Sequence, residues 1–589
     1  MRSRERGIFS GGSLDDRCTC EFLTMQMNPE PFDAIVVGAG ATGGLAAKEL
    51  CQAGLKVLVI EAGGSYEPRS HGNDVPLQSG ASVTQKVQSQ CSAFTGNTQS
   101  LFVDDIRNPY LTPAARPFSW IRSRALGGRT LLWAGQSYRM SDYDFKAAGS
   151  DGVGEDWPLT YQELSPYYDR VERLLRVRGT CEGLPQLPDG CFEPFETKNG
   201  GSQHLRESWT RMGRAVIPAR VSCRNHIAAM SSPCVHCGQA DADCLKPVDS
   251  TTSLVDAFKT GNLTLLTNSP VREVLTDVNG RAIGVCVINS ETNSHREIKA
   301  RLIFLCASTL ESTRIMLNST SRIFPNGLAN SSGVLGHYVM DHVFGVRVTG
   351  ILKNGGSGTQ DQSIRRLYIP RWQNIGAQRS PSFMRGYGLQ MTMIQADYVR
   401  RHSVFACGGA RPRRGPALKL WLAELRDLLF LRHAAREKAA FVSLDAFGEM
   451  LPNYDNRIEI DKEGGIDSCQ IPILKVDCQH GENEAAMVKH MFTSAVEMFD
   501  AAGVTLLDYQ RLPYEPGRCI HEAGTCRMGK DPKKSVLNEF NQCHDVRNVF
   551  VTDGGCFPSQ GTQNPTLTMM ALTLRACEYA IRQCKRGEL

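Results

Sequence analysis

Apolar positions along the chain come in short runs. Asp33–Val37 is a β-branched run with the pattern of a strand buried on both faces. Residues 41–53 have helical spacing and stop at Gly54, and Lys56–Ile60 reads as a second strand. Arg301–Asn318 reads as a strand followed by a helix, and Val549–Thr552 as another strand. A helix is predicted to begin within 154–168 and run to Val177, and a last one over Thr566–Cys584. The longest apolar runs, such as Ala34–Val37 and Leu302–Cys306, are strand-sized, well short of the roughly 18 residues that span a bilayer. Pro416–Lys438, behind a basic cluster, predicts an amphipathic helix with Leu418, Leu420, Trp421, Leu425, Leu428, Leu429 and Leu431 on one face. Such a face suits packing on the protein or a contact in a homo-oligomer; the alternative is a membrane-surface or partner-docking helix.

The composition is that of a globular protein. Of 589 residues, 41% are hydrophobic and 22% charged, which excludes a mostly disordered chain. Its glycines and prolines follow no fixed period, so collagen-like and solenoid architectures are excluded too. A net charge of +5 over this length is too small for a nucleic-acid footprint. Residues 1–30 are basic at the start but lack the apolar region of a secretory signal, and are expected to be a disordered extension. With 21 cysteines, an odd number and mostly scattered, free thiols in a reducing, cytoplasmic setting are expected.

The strongest local signal is GAGATG, placing Gly38, Gly40 and Gly43 between the first strand and helix. In this pattern Gly38 makes the tight turn, Gly40 leaves room for a pyrophosphate, and Gly43 lets helix and strand pack closely. The helix N-terminus supplies unpaired N–H groups to the phosphates. Glu61 ends the second strand, where its carboxylate can accept from a ribose diol. This is a dinucleotide fingerprint in full context, and by itself it leaves NAD and FAD open.

Three further segments decide. They are RSRALGGRTLLWAGQSYR (122–139), IHEAGTCRMG (520–529) and NVFVTDGGCFPSQGTQNPTLTMMA (548–571). Together with the fingerprint, and from about Phe32 to the C-terminus, the chain closely resembles the glucose–methanol–choline (GMC) oxidoreductases. The resemblance implies an α/β protein, α+β overall. A Rossmann-like FAD domain would be joined to a substrate domain built on an antiparallel sheet with helices. It also implies an enzyme that oxidises an alcohol by hydride transfer to the flavin. His521 aligns with the family's catalytic histidine and Asn564 with its partner, a base and a hydrogen-bond donor for the substrate oxygen. Residues matching the family's FAD contacts are Gly38, Gly40, Gly43, Glu61, Gly127, Gly128, Thr130, Trp133, Ala134, Gly135, Val271, Asp553, Gly554, Asn564, Pro565 and Thr566. Some members attach FAD through a histidine near the GGxT motif. GGRTLLW has none, so dissociable FAD is expected.

The middle of the chain resembles the sugar-oxidising branch, particularly glucoside 3-dehydrogenases and more distantly pyranose oxidases. That implies a pyranose or glycoside oxidised at a ring secondary hydroxyl, that of C3, to a keto sugar. The alternatives are oxidation of another primary or secondary alcohol, and a lyase or isomerase on the same fold, which the retained His521 and Asn564 disfavour. Oxygen, a quinone or a cytochrome could reoxidise the flavin. Polar residues near the motifs are candidates for holding the sugar: Gln136, Arg139, Asp341, His342, Glu449, Asn453, Gln560 and Gln563. Gln563, Gln136 and Glu449 lead that group. No bound metal is expected, and a redox disulfide or free thiols are favoured for the one cysteine cluster. Cys234, Cys237 and Cys244, near Cys223, His226 and His236, form a thiolate set at ligand spacing, but Ala240 stands where a further cysteine would be expected. The expected layout is an FAD domain from 31–144, 255–345 and 512–589, and a substrate domain from 145–254 and 346–511. The polar stretch 65–108 is expected to be a loop or lid, and 350–363 mobile.

Overall fold

The computed structural model describes residues 31–66, 83–95, 98–194, 200–222, 248–355, 364–376, 379–397, 399, 430–511 and 513–589. The N-terminal extension, the cysteine set at 223–244, most of 350–363 and most of the amphipathic segment lie outside them. Of the helix predicted over 416–438, the described part at 430–436 is helical.

The sequence opens with strand β1 (Phe32–Val37), helix α1 (Ala41–Gln52) and strand β2 (Val57–Ile60). Among the described residues these belong to a seven-stranded sheet. Leu263–Leu266, β2, β1, the second half of His295–Leu305 and Val549–Val551 run parallel in that spatial order. Register places Ala34 beside Leu302 and Val37 beside Leu305. All four residues of β2 and all three of 549–551 are buried, as a parallel strand covered on both faces requires. The first half of His295–Leu305 turns to antiparallel pairing with Ala282–Ile288, which pairs with Val271–Thr276.

A second sheet is antiparallel throughout. Its order is Thr505–Gln510, Arg347–Leu352, Ala440–Gly448, Tyr387–Gln395, Ile364–Ile369 and Ile217–Pro218. Burial strictly alternates along Ala440–Gly448 and Arg347–Leu352, so the sheet has one packed and one partly open face. The helix Glu482–Ala501 covers the packed face. Its Met487 and Met491 lie so close over Gly448 that a β-carbon there would fall about 2.5 Å from each.

The helix predicted to run to Val177 is shorter, Tyr161–Leu175. Thr160 and Glu163 close a capping box at its start, and Arg176 ends it in the left-handed region. The stretch 65–108 contains short 3-10 turns at Val83–Gln85, Gln88–Gln90 and Gln99–Leu101 where described. The Gln88 amide Nε2 donates to the Trp120 carbonyl and anchors the middle turn. Among the described residues, no helix is long and apolar enough to cross a membrane.

Candidate active site

A cleft of about 1770 Å³ runs from the carboxyl ends of the parallel strands to the open face of the second sheet. It exceeds the roughly 300–1000 Å³ of an ordinary ligand pocket and has room for a dinucleotide and a substrate together. Three strand ends deliver its first part: Gly38 and Gly40 after β1, Glu61 after β2, and Asp553 and Gly554 after Val549–Val551. This is where open parallel sheets bind ligands.

The glycines act differently from one another. Gly38 has φ +97°, and a β-carbon on it would fall 2.5 Å from the Cys306 carbonyl oxygen. A β-carbon on Gly43 would fall 1.8 Å from the Gly38 oxygen, so this glycine serves helix–strand packing. A β-carbon on Gly40 would meet nothing within 4 Å; the space before it is the cleft itself. Glu61 accepts from the Ala39 and Gly63 N–H groups at 2.9 Å each, which shapes the loop, and burial raises its pKa.

The GGRT turn is tied to that loop. Thr130 Oγ1 donates to the Gly127 carbonyl at 2.6 Å and accepts from the Ser250 N–H at 3.0 Å, while Ser250 Oγ donates to the Ala39 carbonyl. Arg129 reaches from the turn to Glu522, with NH1 to Oε2 at 2.7 Å, and to Ser308 Oγ. The second oxygen of Glu522, Oε1, is buried without a hydrogen-bond partner on a residue that lines the cleft. Asp553 accepts from Gly555 N–H and Ser312 Oγ, and burial pushes its pKa up to about 6. Open space at Gly40, a bare acceptor on Glu522 and free backbone at a helix start fit a dinucleotide bearing hydroxyl donors and phosphates.

At the far end of this first part stand His521 and Asn564. His521 Nε2 is 3.3 Å from Asn564 Nδ2, and Asn564 Oδ1 accepts from Gln390 Nε2 at 2.9 Å. On the other side of the ring, His521 Nδ1 is 2.9 Å from His342 Nδ1 and 3.2 Å from Cys519 Sγ. His342 Nε2 faces the Gly561 carbonyl at 3.0 Å. Burial, then the neighbouring His342 and Arg129, hold the His521 pKa well below its ordinary value, so the ring is neutral at neutral pH. Asp341 accepts the N–H groups of Gly517, Cys519 and His521, pinning the loop that carries the histidine. The three side-chain donors of His342, Cys519 and His521 lie within 4.8 Å of one another, a set that could take a metal. The 2.9 Å gap between the two Nδ1 atoms is a hydrogen-bond distance and is short for two nitrogen ligands spread tetrahedrally at about 2.0–2.1 Å from zinc.

Beyond this pair the cleft meets the second sheet. Gln390, Asp445, Arg347 and Gln510 are successive cross-strand neighbours and all line the cleft. They form one polar stripe, with Arg347 paired to Asp445 and Gln510 accepting from the Tyr514 hydroxyl. Beside it on the same sheet face, two residues on from Asp445, Phe447 begins an aromatic wall: Phe344 stacks on Phe447 with centroids 5.0 Å apart, and Tyr514 lies 5.5 Å from Phe344.

Of the residues singled out in the sequence, Gly38, Gly40, Glu61, Gly128, Thr130, Trp133, Ala134, Gly135, Gln136, Val271, His521, Asp553, Gly554, Asn564, Pro565 and Thr566 line the one cleft. Gly43 and Gly127 shape it from behind, Gly127 with φ +110°. Of the residues expected to hold the substrate, Gln136 lines the cleft and several others point elsewhere. Gln563 is buried, with its amide donating to Asp144 and accepting from Thr562 N–H. Glu449 is buried against Arg385. Arg139 is bound to Glu172 and Asp169 in the interior, and Asn453 is exposed away from the cleft. Gln560 supports His521 by donating to its carbonyl at 2.6 Å. Sequence reasoning missed Gln390, Arg347, Asp445 and Gln510, whose only common feature is strand register. It also missed Arg129 and Glu522, although both sit inside quoted motifs.

Comparison with known proteins accords with this geometry. A GMC oxidoreductase family model matches residues 32–343, and a second model of the same description matches 452–573. The 2-methyl-1,2-propanediol dehydrogenase of Mycolicibacterium austroafricanum is 28% identical, covering 95% of this chain and 97% of that one. The fructose dehydrogenase large subunit of Gluconobacter japonicus is 25% identical, covering 94% and 98%. The C-glycoside 3-oxidase of Microbacterium trichothecenolyticum is 23% identical over 54% of each chain. The crystal structure of pyridoxine 4-oxidase from Mesorbium loti shares the fold at a TM-score of 0.58 with 17% identity, covering 93% of this chain and 99% of that one. With one family matched on both sides of a single cleft, the chain belongs to the GMC oxidoreductases, flavoenzymes that oxidise alcohols.

Proposed function

We propose that this protein is an FAD-dependent oxidoreductase that converts a ring hydroxyl of a sugar or glycoside, at pyranose C3, into a ketone. The carrying observation is the meeting of His521 and Asn564, 3.3 Å apart, where the strand-end cleft opens onto the polar stripe and aromatic wall. A pyranose has hydroxyls for the stripe and an apolar C–H face for Phe344, Phe447 and Tyr514. The fructose dehydrogenase and C-glycoside 3-oxidase relatives support the same class.

His521 Nε2 accepts the hydroxyl proton, and Asn564 Nδ2 donates to the oxygen as negative charge builds on it. Bound FAD supplies the two-electron acceptor for the carbinol hydride. Gly38, Gly40, Glu61, Gly128, Thr130, Asp553 and Gly554 would hold it, with the start of helix Thr566–Lys585 near its ring system. In this reading FAD is dissociable, since the GGRTLLW segment carries no histidine. In this reading 31–144, 255–345 and 512–589 form the FAD-binding part, and 145–254 and 346–511 the substrate side.

A non-sugar alcohol is the second reading, favoured by the diol dehydrogenase relative at 28% identity. Anaerobic flavin reduction by methyl glucoside deuterated at single ring positions separates them. A primary isotope effect from C3 alone is expected. An effect from another carbon moves the regiochemistry, and reduction by a branched diol with no response to any glycoside replaces the substrate class.

A further inference from the structure

We infer that His342 is a positioning residue for the reaction: it fixes the tautomer of His521, so that the lone pair lies on Nε2 and faces the substrate. The inference rests on the catalytic role proposed for His521. Hydrogen-bond chemistry carries it. A carbonyl oxygen can only accept, so His342 Nε2, 3.0 Å from the Gly561 carbonyl, must bear a hydrogen. A neutral His342 then has its lone pair on Nδ1, 2.9 Å from His521 Nδ1. That contact is a hydrogen bond only if His521 Nδ1 carries the proton, which leaves His521 Nε2 bare. The opposite face agrees. Gln390 Nε2 donates to Asn564 Oδ1 and turns the amide so that Nδ2, a donor, meets His521 Nε2, an acceptor until a substrate hydroxyl takes that place.

The two rings are set for this purpose. They meet edge to face, 85° apart with centroids 5.0 Å from each other. His342 is buried, and that burial holds its pKa down to about 4, so it stays neutral across the working range. The other polar groups around His521 do not compete for the Nδ1 proton. Cys519 is a buried thiol with its pKa raised well above 9, a weak acceptor at 3.2 Å. Asp341 is taken up by backbone N–H groups, and Arg129 by Glu522 and Ser308. When His521 gains the substrate proton, its Nδ1–H continues to donate to neutral His342. The Gly561 carbonyl cannot take a proton onward, so the charge is held on the His521–His342 pair.

The test uses holoenzyme labelled with 15N-histidine, with the His521 signals assigned by their loss in His521→Gln. At neutral pH we expect His521 as the Nδ1–H tautomer. His342→Leu, which removes the acceptor, is expected to shift it toward Nε2–H, whereas His342→Gln, with an amide oxygen to accept, keeps Nδ1–H. A wild-type His521 in the Nε2–H or cationic form overturns the inference. So does an unchanged tautomer in His342→Leu. If that variant does not fold, the wild-type tautomer and the response of His342→Gln decide. In stopped-flow flavin reduction, His342→Leu is expected to lose about a hundredfold in limiting rate with FAD content and substrate Kd unchanged, and His342→Gln to recover most of it. Equal losses in both variants contradict an acceptor role. If the wild type is reduced by no alcohol or sugar, the proposed function fails, while the tautomer result stands on its own.

Discussion

The ring Nε2 of His521 lies 3.3 Å from the side-chain amide of Asn564, 43 residues later in the chain. Two loops from different strand ends meet there, and each is braced from behind, His521 by Asp341 and Gln560, and Asn564 by Gln390. His521→Ala is expected to lower the limiting rate of flavin reduction by about 10²–10⁴-fold. Asn564→Ala is expected to cost about 10²–10³-fold. Stopped-flow reduction at saturating substrate checks both. Rates within a few-fold of wild type would remove these residues from the chemistry.

Gly40 and Gly43 separate cofactor binding from folding. A methyl at Gly43 drives into the Gly38 carbonyl, so Gly43→Ala is expected to destabilise the protein by at least about 1–3 kcal/mol. A methyl at Gly40 enters open cleft. Gly40→Ala is therefore expected to keep apoprotein stability and lose FAD affinity, by tenfold or more if the methyl displaces a phosphate contact worth about 1.4 kcal/mol. Chemical unfolding of the apoprotein and flavin titration measure the two effects.

Arg139 and Glu172 are a buried pair, joined through Nε at 2.8 Å and NH2 at 2.6 Å. Glu172 also accepts from the Cys191 N–H. Without Arg139 the buried Glu172 carboxylate keeps only that N–H, so Arg139→Ala is expected to cost about 3–5 kcal/mol in unfolding free energy. Glu172→Ala is expected to cost less, because Asp169, Tyr161 and Ser165 still accept from Arg139. A conservative Arg139→Lys that folds is expected to leave substrate affinity unchanged, because the group faces the interior.

The pKa of His342 falls from 6.5 to about 4 in the folded state, chiefly by burial. Between those values the unfolded chain holds a proton that the native state does not. Stability from this group is therefore full above pH 6.5 and is lost as pH falls toward 4. From pH 7 to pH 5 the loss is about 2 kcal/mol. Denaturant unfolding at the two pH values, compared with His342→Gln, measures it: the variant is expected to show a shallower decline by one proton.

Much of the fold and half of the site were legible in the sequence. β1, α1 and β2 could be read because a buried parallel strand, a glycine turn and a helix leave a dense local signature. His521 and Asn564 could be paired because each sits in a distinctive motif. Of the polar residues expected beside the substrate, Gln136 lines the cleft and most others do not. Proximity to a motif favoured Gln563, yet its side chain turns inward to Asp144. The stripe residues that also reach the cleft, from Gln390 to Gln510, are neighbours only through strand register across four strands. Register of that kind is set by the whole sheet and leaves no local trace. The brace of His342 on His521 is likewise a contact between segments 179 residues apart.

The most direct test of the central claim is anaerobic. Flavin-loaded protein is mixed with glycosides, free sugars and simple alcohols in turn, while absorbance near 450 nm, about where oxidised flavin absorbs, is followed. Bleaching by a glycoside in the wild type, lost in His521→Ala with flavin content unchanged, is the predicted result. A protein that cannot be loaded with FAD, or one whose flavin is reduced equally well without His521, would contradict the account.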